Sequence, residues 1–92
     1  RYYQAAIVSL TNFTQNFPDS KYREEAEYLI LTAQYRWAEQ SIQARQPERY
    51  RAALEYYKEF IDTYPQSRYL QDAEKVYAGS LEKINETKNK NL

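Results

Sequence analysis

Apolar side chains recur along this chain at intervals of three and four, and short polar stretches beside prolines interrupt them. Ala6, Leu10, Phe13 and Phe17 fall on one helical face, as do Ala53, Tyr57, Phe60 and Tyr64. Pro18 and Pro65 follow directly and end both runs, since proline lacks the amide donor and restricts the residue before it. Ser20 and Ser67 come next as candidate N-caps, without the Glu or Gln three residues later that would complete a capping box. Behind Ser20, Tyr22, Ala26, Leu29, Ile30, Ala33 and Trp37 form a stripe, and nothing breaks the helix until about Ala44. At ~1.5 Å per residue this segment would be about 36 Å long. Pro47 suits the first turn of the next helix. After Ser67, a stripe of Tyr69, Ala73, Val76, Tyr77, Leu81 and Ile84 closes the pattern. Four helices are predicted, over 2–17, 20–45, 47–64 and 67–86, with 87–92 as a disordered tail.

The pattern is also a repeat. Tyr3-Gln4-Ala5-Ala6-Ile7, Leu10, Phe13 and Phe17-Pro18-Asp19-Ser20-Lys21-Tyr22 return as Tyr50-Arg51-Ala52-Ala53-Leu54, Tyr57, Phe60 and Tyr64-Pro65-Gln66-Ser67-Arg68-Tyr69. Every pair is 47 positions apart, and the match extends to Ala26-Glu27 and Ala73-Glu74. A period of this size marks a stacked helical-repeat architecture, so residues 1–86 are expected to form one all-α domain.

Composition agrees with helices. The chain has one Gly and three Pro, and eleven Tyr, three Phe and one Trp supply its large side chains. At 92 residues it is near the size where a single core only just outweighs chain entropy. Thirteen basic residues balance thirteen acidic ones, and the balance holds within each half, so no basic stripe points to nucleic acid. No apolar run approaches the roughly 20 residues needed to span a bilayer. No signal peptide or lipidation pattern is visible, and with no Cys the sequence carries no redox signal.

Catalytic chemistry finds little to work with. His and Cys are absent, which removes the commonest general base, thiol nucleophile and zinc ligands. Gly79 alone cannot build a phosphate-cradling loop. Glu24, Glu25 and Glu27 read as first-turn acids opposing a helix dipole, and Asp72 and Glu74 read the same way. Arg51–Glu55 and Glu55–Lys58 are spaced as exposed ion pairs. Asn12-Phe13-Thr14 and Asn85-Glu86-Thr87 match the glycosylation pattern but are set aside, the first because Phe13 belongs to a core stripe. Neither a catalytic, a metal nor a cofactor site is expected. The tyrosines at matched repeat positions are expected to pack, whereas Tyr28, Tyr35 and Tyr56 fall off the stripes, where an exposed aromatic would anchor a partner. Trp37 fits the stripe by spacing yet sits on the overlong half of its helix. Tyr35, Trp37 and Tyr56 are the candidate partner-binding residues.

The string Tyr50-x-x-Ala53-Leu54-x-x-Tyr57-x-x-Phe60-x-x-x-Tyr64-Pro65 resembles the second helix of a tetratricopeptide repeat, with the small residue twelve positions before the closing proline. Ala6 and Pro18 repeat that spacing. The resemblance implies antiparallel helical hairpins in a right-handed superhelical stack. Residues 20–65 would be one complete, extended repeat, 2–17 the second helix of a preceding one, and 67–86 a following or capping helix. The 47-residue period departs from the family's 34, and Leu29, Ile30 and Leu31 stand where a small residue is usual. With Ala38-Glu39-Gln40-Ser41-Ile42 and Glu48-Arg49-Tyr50, the aromatic-Pro-x-Ser-x-Tyr-x-x-x-Ala-Glu repeats look like the C-terminal part of the BamD family of outer-membrane protein assembly lipoproteins, in its Bacteroidetes-like form. That resemblance implies a non-enzymatic scaffold on the periplasmic face of the outer membrane, lipid-anchored through a Cys outside this sequence. It would contact the periplasmic domains of a BamA-like barrel-assembly protein. Two rivals are a periplasmic repeat protein of the division machinery and a helical accessory domain of an envelope enzyme. The leading helix is expected to lack its repeat partner, so the chain would belong to a longer protein or pair with a second copy.

Overall fold

Four α-helices follow one another: α1 (Tyr2–Asn16), α2 (Arg23–Glu39), α3 (Gln46–Thr63) and α4 (Leu70–Lys90), with one 3₁₀ turn, Gln43–Arg45, before α3. The structure, a computed structural model, describes residues 2–90, and of Lys90 only the backbone. Among these residues every regular element is helical.

The breaks have local causes. The carbonyls of Phe13 and Phe60 accept the last helical bonds, from the amides of Phe17 and Tyr64, and a turn at each proline follows. Ser20 and Ser67 do accept from backbone amides, but from residues two further on, Tyr22 and Tyr69, at 3.1 and 3.0 Å. Each serine therefore folds a turn ahead of its helix, and α2 and α4 start three residues after it. Pro47 occupies the first turn of α3.

One expected helix is shorter than its sequence pattern. The segment over 20–45 stops at Glu39, and the chain bends at Ser41 and is extended at Ile42. Polar side chains hold this break by satisfying carbonyls that a longer helix would have used. The Ser41 hydroxyl donates to the Trp37 carbonyl, and the Gln46 amide donates to the carbonyls of Glu39 and Ser41 at 3.3 and 3.2 Å. At the other end α4 is longer than expected, running to Lys90. Its last turns carry the Lys83–Glu86 ion pair, and the Thr87 hydroxyl donates to the Lys83 carbonyl. The proposed tail thus begins inside a helix, and residues 91–92 lie outside the described ones.

The helices form antiparallel hairpins. Tyr28 of α2 lies by Phe60 of α3, with ring centroids 6.2 Å apart, while Tyr35 lies by Tyr50 at 5.7 Å, so numbers rise along one helix as they fall along the other. Tyr57 stacks on Tyr77 at 4.7 Å, and Phe60 clusters with Ala73 while Tyr50 clusters with Ile84, which sets the same sense for α3 and α4. Leu31, Ala53, Phe60, Ala73 and Val76 make the central core, with Ile7, Ile30 and Ala33 between α1 and α2, and Ala38, Tyr50 and Ile84 at the other end. Small residues at Ala53 and Ala73, both fully buried, let the helices approach closely.

The two copies of the repeat are not equally covered. α3 lies against both α2 and α4, and its Phe60 is 3% exposed. α1 lies against α2, and Phe17 just past its end, expected in the core, is 59% exposed. Tyr22, Leu29 and Leu81, also placed on core stripes by spacing, are exposed as well. α1 carries no charged residue at all, although much of its outer face meets solvent.

Candidate protein-interaction surface

Tyr35, Trp37 and Tyr56 do not converge on one surface. Residues two apart on a helix point in nearly opposite directions, so Tyr35 and Trp37 leave α2 on different sides. Tyr35 is half-buried between α2, α3 and α4, edge-on to Tyr50 and lying across Gly79. Burial foremost, and then Glu39, pushes its phenol pKa up. Tyr56 packs at the junction of α1, α2 and α3, against both the central core and the Ile7–Ile30 cluster. Tyr28 stacks on Tyr69 at 4.5 Å with planes nearly parallel. The three off-stripe tyrosines are thus packing residues on at least one face, because stacked hairpins bury two sides of α2 and α3 rather than one stripe.

Trp37 is different. One side packs against the Ile7–Ile30 cluster, and the other faces a cleft between α1 and the break after α2. The Arg49 guanidinium lies 4.0 Å over the indole. Ser41 fixes this platform: its hydroxyl is bound to the Trp37 carbonyl and accepts from Arg49 Nη1 at 2.6 Å. The Arg49 carbonyl in turn accepts from the buried Gln34 amide at 3.0 Å. Tyr2, Ile42 and Arg45 complete the rim, and Tyr2 and Ile42 are 78% and 71% exposed. Sequence reasoning named Trp37 and missed Arg49, Arg45 and Ile42. The break that gathers them was not foreseen, although Ser41 and the β-branched Ile42 ahead of Pro47 were signals for it.

A second cluster ties the repeats together at the loop end. The Ser67 hydroxyl donates to Glu24 Oε2 at 2.7 Å, and the Tyr69 hydroxyl donates to Glu25 Oε2 at 3.2 Å. The acids at the start of α2 therefore do more than face a dipole: they receive the next repeat. Of the two expected ion pairs on α3, Glu55–Lys58 forms at 3.8 Å. Tyr50 and Tyr64 are pushed up to about 12, both chiefly by burial, Tyr50 next by Glu39 and Tyr64 next by the neighbouring Glu27 carboxylate. Shifts in this direction keep phenols neutral and do not activate a nucleophile.

Among the described residues no group of three or more acidic side chains could hold a metal ion, and no helix is long and apolar enough to cross a membrane. No curated protein matches the chain. A family model described as YfiO, outer membrane lipoprotein, matches residues 1–87. With almost the whole helical array inside that match, the chain belongs to the YfiO family of outer membrane lipoproteins.

Proposed function

We propose that this chain is a protein-interaction scaffold of outer-membrane β-barrel assembly, the C-terminal repeat part of a BamD-like lipoprotein at the periplasmic face of the membrane. Its partner on this reading is the set of periplasmic domains of a BamA-like barrel-assembly protein. The family match over residues 1–87 carries the reading, since it ties a hairpin-repeat fold to an envelope lipoprotein. The surface supports it. Hairpins present rigid faces, and the exposed aromatic and arginine side chains at the Trp37 cleft are the residue types that dominate binding energy at interfaces. The mechanism is positioning: the scaffold holds its partner by surface complementarity and performs no reaction on it.

The test is direct. The chain is mixed with purified periplasmic domains of the BamA-like protein from the same organism and followed by titration calorimetry and sedimentation. A one-to-one complex with Kd on the order of micromolar or tighter is expected. Absence of any complex at about 100 µM protein would set the reading aside.

A further inference from the structure

We infer that the Trp37–Arg49 cleft is the docking site for an extended acidic–aromatic segment of a protein partner, one carboxylate on the arginines and a neighbouring apolar side chain between Tyr2 and Ile42. The inference rests on the scaffold reading above and names the chemistry of the contact.

Charge singles out this cleft. The chain has equal numbers of basic and acidic residues, yet the cleft is lined by Arg45 and Arg49, and none of the described residues lining it is a carboxylate. The cleft is also preorganised. Arg49 lies over the Trp37 ring and is held by Ser41, so a carboxylate meets a guanidinium already positioned above the indole face, with little side-chain entropy left to lose. Arg49 spends one N–H group on Ser41, which leaves others for an incoming oxygen. Arg45 is bound to Glu48 at 3.0 Å, but both side chains are more than half exposed, and an exposed pair of this kind exchanges partners at little cost.

The flanking residues give the second half of the recognition. Ile42 is held in extended backbone, with its side chain among the most exposed apolar groups of the molecule, and Tyr2 lines the same cleft. Free phosphate would leave both uncovered. An apolar side chain beside the carboxylate would bury them, which is why a peptide fits better than a simple anion. A membrane headgroup also offers an anion, but the cleft lies between α1 and a bend of the chain, where a strand of peptide fits more readily than a flat surface.

Trp37 is the one tryptophan of the chain, so its fluorescence reads the cleft directly. The probe is an acetylated, amidated pentapeptide, Gly-Phe-Asp-Leu-Gly, titrated against its Asn analogue. The Asp peptide is expected to shift Trp37 emission saturably and the Asn peptide to bind about tenfold more weakly or worse. Arg49→Gln should abolish the difference. Ile42→Asp, at a position that is 71% exposed, should leave the melting temperature near wild type and repel the Asp peptide by setting a carboxylate in the cleft. Equal binding of the two peptides would overturn the inference, as would emission that responds only to phosphatidylglycerol vesicles. The same variants are then measured against the BamA-like periplasmic domains. If wild-type protein binds them and Ile42→Asp binds equally well, the cleft is not the contact although the scaffold reading stands. If wild-type protein binds no such domain while the peptides discriminate, it is the partner's identity that fails, and the cleft chemistry holds.

Discussion

Gly79→Ala should destabilise this protein, although alanine is ordinarily the better residue inside a helix. Gly79 sits in the middle of α4, where Gly to Ala normally gains about 0.5–1 kcal/mol. Here a methyl group would fall well inside contact distance of Tyr35 Oη, and 3.1 and 3.3 Å from Cζ and Cε1 of the same ring. The ring would have to retreat by roughly 1 Å to reach ordinary contact. It is not free to do so, because it packs edge-on against Tyr50, an arrangement worth ~0.5–1.5 kcal/mol. Overpacking of this kind costs about 1–3 kcal/mol, which equals or outweighs the propensity gain and leaves a net loss of about 0–2.5. Removing the hydroxyl relieves the closest contact, so Gly79→Ala in a Tyr35→Phe background should recover most of the helix-propensity gain. Wild type, both single variants and the double variant would be compared by urea denaturation followed by circular dichroism. The expected coupling between the two positions is ~1–2 kcal/mol, well above the few tenths found for independent sites. Should Gly79→Ala stabilise by about the same amount in both backgrounds, Tyr35 does not lie across α4.

The other predictions test separate parts of the structure. Phe60→Ala should cost about 3–5 kcal/mol in thermal or urea melts, whereas Phe13→Ala, the matched position on the half-covered α1, should cost clearly less; equal losses would contradict the unequal covering. Ser80, fully buried, has a hydroxyl without a hydrogen-bond partner among the described residues, and its repeat counterpart is Ala33, so Ser80→Ala should raise stability by about 1 kcal/mol. Ser67→Ala, which breaks the bonds to Glu24 and the Tyr69 amide, should cost about 1–2 kcal/mol; in a double-mutant cycle with Glu24→Ala the part due to Glu24 should disappear and the part due to the Tyr69 amide should remain. Alkali should destabilise the protein in part through Tyr50. Its pKa is about 12 in the fold against 10 when unfolded, so its contribution is complete below pH 10 and lost as pH rises from 10 to 12. That loss amounts to about 2–3 kcal/mol. Tyr50→Phe should flatten this part of a pH-dependent melting curve, and an unchanged alkaline slope would assign the loss to other groups.

Much of the architecture could be read from residue order alone. Helix periodicity, the proline stops and the 47-residue repeat depend on local backbone chemistry and on neighbours three or four positions away, and all of these are written linearly in the chain. They were enough for an all-α hairpin array, and the resemblance of particular residue strings pointed to an outer membrane lipoprotein family. What they could not give was which sides of each helix are covered. A single stripe was assigned to α2, yet α2 meets α1, α3 and α4, so Tyr28 and Tyr35 are drawn into packing while Leu29 remains in solvent. Phe17 and Tyr64 occupy the same position of the repeat but differ in covering, because covering belongs to the neighbour and not to the position. The candidate cleft was hidden for a related reason. It depends on α2 ending at Glu39, and that end is held by Gln46 and Arg49 from the next helix, side chains seven to eight residues away from their partners. Local sequence fixed where helices can form. The tertiary contacts decided where one of them stops, and therefore what Trp37 and Arg49 are free to bind.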